Sequence, residues 1–128
     1  MQFPVYQRLL AVDTAPLSGD KVNRSDLGTM EQLCNYCNQL LDSDVVDKVV
    51  DIDYSENLHR KVYQKHFGRQ IRQTHNYKGY PILGSLFAIE VVESDYLLRI
   101  DNDMLFHQEP YYNWIEEGIK LLQKIRKL

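Results

Sequence analysis

Three short apolar runs, RLLAV (Arg8–Val12), VDKVVDI (Val46–Ile52) and DYLLRI (Asp95–Ile100), are each followed at once by an aspartate. Between them lie segments whose apolar residues recur at helical steps. Leu27, Met30, Leu33, Cys34, Cys37, Leu40 and Leu41 form one such stripe. Strand, helix, strand, helix, strand is the pattern of an α/β domain with a mainly parallel sheet and flanking helices. Ligands of such sheets bind outside the carboxyl ends of the strands. The acids Asp13, Asp53 and Asp101 are expected to emerge there, on one edge.

The remaining elements follow from local signals. Thr29 and Gln32 have capping-box spacing for the first helix, which could instead begin near Ser25. Pro81 suits the first turn of a second helix, ILGSLFAIEVVES, which has few polar positions and should be buried. Pro110 opens a last helix in which Trp114, Ile115, Leu121, Leu122, Ile125 and Leu128 line one face. That apolar face is expected to need a partner, a second copy or a companion chain. With 128 residues, the chain is expected to be a single domain, 1–128, able to bury a core without disulfides.

The net charge of −3 gives no global attraction to nucleic acid or an anionic membrane. No apolar run is long enough to cross a bilayer. The start, MQFPVYQRLL, lacks a basic region followed by an apolar one, so no signal peptide and a cytoplasmic location are expected. Cys34 and Cys37 are a single pair, half of a zinc site, and read as reduced cysteines on a helix.

The stretch SDYLLRIDNDMLF sets two carboxylates, Asp101 and Asp103, between apolar segments. In extended backbone, side chains two residues apart share a face. Like charges so close repel, and a hard dication relieves the repulsion. Mg²⁺ or Mn²⁺ is commonly held by one or two carboxylates together with substrate phosphate oxygens. The competing reading is a solvated turn, in which Asp and Asn bond the nearby backbone. His107, four residues past Asp103, is a further candidate ligand. The other histidines, His59, His66 and His75, read as structural or surface residues.

The order GSLFAIEVVESDYLLRIDNDM resembles the Asp-x-Asp region of nucleotide-sugar glycosyltransferases with the GT-A fold, above all the large inverting family 2. RLLAVDTAP resembles that family's second strand, and VDKVVDIDYS stands where its third would be. The resemblance spans roughly Arg8 to Phe106. It implies a partial GT-A domain that binds a nucleotide-sugar donor and transfers the sugar to an unknown acceptor. Asp13 would bond the base or ribose. Asp101 would contact the ribose or the metal, and Asp103 would coordinate Mn²⁺ or Mg²⁺ on the diphosphate. The family's first strand has no counterpart here, and no catalytic base follows Asp103. Glu109, Glu116 and Glu117 read as helix-start and helix-surface charges. A truncated domain is therefore expected.

The segment His59–Tyr80 interleaves Arg60, Lys61, Lys65, Arg69, Arg72 and Lys78 with Tyr63, Phe67, Tyr77 and Tyr80, and contains no acid. Arg69 and Arg72 suit a departing diphosphate. One rival reading is a nucleic-acid or partner-binding module that uses this basic and aromatic segment, and another is a solvated helix face with aromatic anchors. The acidic balance of the whole chain weighs against nucleic acid.

Overall fold

The computed structural model describes residues 5–22, 28–101, 103–107 and 109–126. The chain divides into two compact units, Gln7–Glu93 and a second composed of Met1–Tyr6 with Ser94–Leu128. The protein is mixed α/β, with four α-helices and a two-stranded parallel sheet among the described residues.

In the larger unit, β1 (Leu9–Val12) pairs in parallel with β2 (Lys48–Asp51), and the register runs from Leu9 opposite Lys48 to Val12 opposite Asp51. Parallel neighbours need a crossover connection, and α1 (Met30–Asp42) lies within it. The capping box is formed: Thr29 Oγ1 accepts from Gln32 N at 3.1 Å, and Gln32 Oε1 accepts from Thr29 N at 2.9 Å. The alternative start near Ser25, and the stripe residue Leu27, lie outside the described residues. Cys37 is buried and Cys34 is exposed, both as free thiols. Register is fixed at the strand starts. The Arg8 guanidinium grips Asp47 through both carboxylate oxygens, at 3.2 and 2.8 Å, and also donates to the Asp44 carbonyl at 2.6 Å.

The stretch from Asp53 to Tyr80, read from its composition as a polar and basic segment, contains helix α2 (Glu56–Phe67). Ser55 caps it, its hydroxyl accepting from Leu58 N at 3.3 Å. The inner face of α2 carries Val62 and Tyr63 onto Leu83 of α3 (Leu83–Glu90). Tyr63 and Leu83 are fully buried, and Tyr54, Leu58, Ile71, Ile82 and Leu86 surround them. Gly84 lets α3 approach the end of β2, because a Cβ there would meet Ile52 Cδ1 at 2.7 Å. Outside this core, Glu90 receives Lys65 at 2.9 Å and His66 at 2.7 Å, linking the ends of α2 and α3. α3 is apolar as its composition implies, but it is less buried than expected: Leu83, Gly84 and Phe87 are buried, whereas Ile89 is exposed. It starts at Leu83 rather than Pro81, because Pro81 instead forms an isolated antiparallel bridge with His75.

The smaller unit departs from expectation. Asp95–Ile100 forms no strand. A strand exists only where a neighbour completes its hydrogen-bond ladder, and the described sheet consists of β1 and β2 alone. Leu97, Leu98 and Ile100 are correspondingly exposed. The last helix, α4 (Trp114–Arg126), begins four residues after Pro110. Asn113 supplies its first acceptor, its Oδ1 receiving both Ile115 N and Glu116 N at 3.2 Å. Trp114 stacks on Phe106 with ring centroids 5.7 Å apart, whereas Leu121, Leu122 and Ile125 are exposed. No helix among the described residues is long and apolar enough to cross a membrane.

Candidate ligand site at the strand ends

The carboxyl ends of β1 and β2 lie side by side, joined by Ile52 N donating to the Val12 carbonyl at 2.9 Å. That pairing brings together the residues that follow each strand. Tyr54 Oη donates to Asp13 Oδ1 at 2.7 Å, and Ala15 N donates to the same oxygen at 3.0 Å. His75 arrives from the loop after α2, with Nε2 2.8 Å from Asp13 Oδ2. A carboxylate only accepts, so Nε2 carries the proton. Nδ1 then accepts from Thr74 Oγ1 at 3.0 Å. The Tyr54 and His75 rings are stacked, 5.8 Å apart and 18° from parallel. The loop that delivers His75 is itself anchored. Tyr63 Oη donates to the Gln73 carbonyl at 2.6 Å, and the Thr74 carbonyl receives Ile82 N at 2.9 Å and Leu83 N at 3.1 Å.

These bonds set the charge state. Burial pushes the Asp13 carboxyl up, but the hydrogen bonds from Tyr54, His75 and Ala15 outweigh it and hold its pKa below the ordinary value. Burial, and then the Asp13 carboxylate, push the Tyr54 phenol well above its usual range, so it remains a donor. A carboxylate whose pKa is lower in the folded state contributes stability above its unfolded pKa and loses it as pH falls through the folded one. The melting temperature, followed by circular dichroism, should therefore hold from neutrality to about pH 5 and drop below about pH 4. Asp13→Asn should lower the neutral value and make the acid drop shallower than in the wild type.

Beside this network lies an open depression of about 540 Å³, lined by Ala15, Pro16, Ser18, Arg72, Gln73, Thr74 and His75. Arg72 has no ion-pair partner among the described residues. The strand ends thus offer a guanidinium unpaired among the described residues, an oriented imidazole and two hydroxyls over a small apolar floor. That combination can receive an anionic group attached to a polar ring.

Of the residues singled out from sequence, Asp13 and Arg72 both lie at this end of the larger unit. Arg69 follows α2 in the same unit, outside the depression. Asp53 serves structure, its Oδ1 accepting from Ser55 N at 2.8 Å where α2 begins. Asp101, Asp103 and His107 belong to the smaller unit and are exposed. Arg99 stands 3.9 Å from Asp101, and His107 stands 3.5 Å from Glu109. Asn102 lies outside the described residues. Among the described residues, no three His, Cys, Asp or Glu side chains gather as a metal-binding group.

Sequence reasoning missed Tyr54, and it read His75 as a structural or surface histidine without its partner Asp13. Tyr54 was accessible in principle, because it directly follows the acid that ends the second apolar run. His75 had no spacing signal, since its partner is 62 residues away. Comparison with family models, with curated proteins and with solved structures returns no match.

Proposed function

We propose that this chain is the nucleotide-sugar-binding part of a glycosyltransferase with a GT-A-type fold, acting on an acceptor whose identity its sequence does not specify. The observation that carries this reading is Asp13 at the carboxyl end of β1, oriented by Tyr54 and His75 beside a depression that holds the uncommitted Arg72. This is where open α/β sheets take their ligands. Asp13 meets the base or ribose of the donor, and Arg72, with Arg69 behind it in sequence, meets the phosphates. Asp101 and Asp103 are the residues that would hold Mn²⁺ or Mg²⁺, with His107 as a third donor. Such a dication neutralises charge on the departing nucleoside diphosphate.

The nucleic-acid alternative is weakened by burial. Tyr63 has no exposed surface, and its ring packs edge-on between His59 and Phe67 rather than offering a face to a base. Arg60 and Lys65 are engaged by Glu56 and Glu90.

Calorimetric titration of UDP into the wild type and Arg72→Ala tests the donor site. A charge-assisted contact contributes about 1.5–3 kcal/mol, so the variant should bind roughly tenfold or more weakly. Equal affinity in both proteins would remove Arg72 from the site.

A further inference from the structure

We infer that the loop Asn76–Tyr80 is a binding site for an anionic saccharide, whose sugar rings stack on Tyr77 and Tyr80 while its acidic groups meet Lys21 and Lys78. As an acceptor site, this inference rests on the glycosyltransferase reading. As a binding site, it stands on the loop's own geometry.

Tyr77 is 83% exposed and Tyr80 56% exposed. Two large rings so exposed on a firmly held loop call for an explanation. The Asn76 side chain accepts from Lys78 N at 2.9 Å and from Tyr80 N at 3.0 Å. Asn76 N donates to the Tyr80 carbonyl at 2.8 Å, and Gly79 N donates to the Asn76 carbonyl at 2.9 Å. Gly79 has φ +87°, and a Cβ there would fall on the Ser18 carbonyl oxygen. Asp20 N donates to the Lys78 carbonyl at 3.2 Å, tying the loop to the short helical turn Gly19–Lys21. The rings are thus displayed on a rigid platform, and little ordering cost remains to be met on binding.

Charge selects the ligand. Lys21 Nζ lies 5.0 Å from the Tyr80 ring centroid, and Lys78 Nζ lies 5.7 Å from that of Tyr77. Neither ammonium has a carboxylate partner among the described residues. Each ring therefore carries a cation over one of its faces, and the complementary ligand sets an apolar ring against the opposite face and brings negative charge to the ammonium. Uronic-acid and phosphorylated saccharides have both. A single-stranded nucleic acid has both as well, but it needs a longer track of stacking rings and free cations. Here the neighbouring aromatic residue Tyr63 is buried, and Arg60 and Lys65 are already paired.

The test is titration of the full chain with a galacturonate oligosaccharide, its methyl ester and oligo(dT), read by calorimetry. The acid form should bind, and the methyl ester, with the same rings but no charge, should bind at least about fivefold more weakly. Tyr77→Ala and Tyr80→Ala should each weaken the acid form roughly tenfold. Both side chains are exposed, so the variants should keep the wild-type melting temperature. No binding of the acid form, equal binding of acid and ester, unchanged affinity in both variants, or stronger binding of oligo(dT) would each overturn the proposal. UDP titrated into the same variants separates the two readings. Retained UDP binding alongside lost saccharide binding places them at different sites, and absent UDP binding with saccharide binding intact defeats the donor reading alone.

Discussion

Tyr63→Ala is expected to destabilise the larger unit by about 3–5 kcal/mol, the usual cost of truncating a buried aromatic side chain. Tyr63 has no exposed surface and sits where α2, α3 and the loop toward His75 converge. The alanine would leave a cavity among Val62, Leu83 and Ile71, and it would remove the donor to the Gln73 carbonyl. A small domain has only about 5–15 kcal/mol in total, so the loss should be visible as a large drop in the urea midpoint. Tyr63→Phe separates the two contributions. It keeps the ring and loses one hydrogen bond, for about 0.5–1.5 kcal/mol. If Tyr63→Ala shifted the midpoint no further than Tyr63→Phe, the packing account of this core would be wrong. The effect should also reach the ligand site, because Gln73 and Thr74 line the depression.

Asp103→Ala carries the second large effect: metal-dependent nucleotide binding should disappear, and Asp101→Ala should weaken it. The asymmetry follows from their surroundings. Asp101 already has Arg99 3.9 Å away, a weak and exposed pair that can share its charge. Asp103 has no ion-pair partner among the described residues. On the proposed reading, removing the carboxylate with no competing partner removes the stronger metal ligand. Manganese titration followed by electron paramagnetic resonance reads the loss directly, without requiring catalytic turnover. Retained Mn²⁺ affinity in Asp103→Ala would take that residue out of the metal site.

Much of the larger unit was legible in the residues. β1, β2 and their parallel pairing, the Thr29–Gln32 capping box and the apolar helix α3 all rest on local patterns that tertiary packing then reinforced. The helix α2 was harder to see. Its outward face is dense with Arg60, Lys61 and Lys65, and only Leu58, Val62 and Tyr63 mark the inward side. The stretch Asp95–Ile100 was misread for the opposite reason. Its apolar run looks like a strand, but strand formation depends on a neighbour's backbone, and local sequence does not reveal whether one is available.

The candidate site divides in the same way. The place of Asp13 at the carboxyl end of β1 follows from the strand pattern. Its orientation does not, because that depends on Tyr54 and His75, which reach Asp13 from 41 and 62 residues away. Such a network is set by the fold, and no spacing within the sequence encodes it. The exposed tyrosines of the Asn76–Tyr80 loop illustrate a related point. Tyr63, Tyr77 and Tyr80 look equivalent in composition, yet one is core and two are surface.

The most direct measurement is calorimetric titration of UDP and GDP into the wild-type chain, first with Mn²⁺ and then with the metal chelated. The proposed binding of a metal-bound diphosphate donor predicts saturable binding that weakens at least about tenfold without metal. Binding indifferent to Mn²⁺, or no binding of either nucleotide, would contradict it.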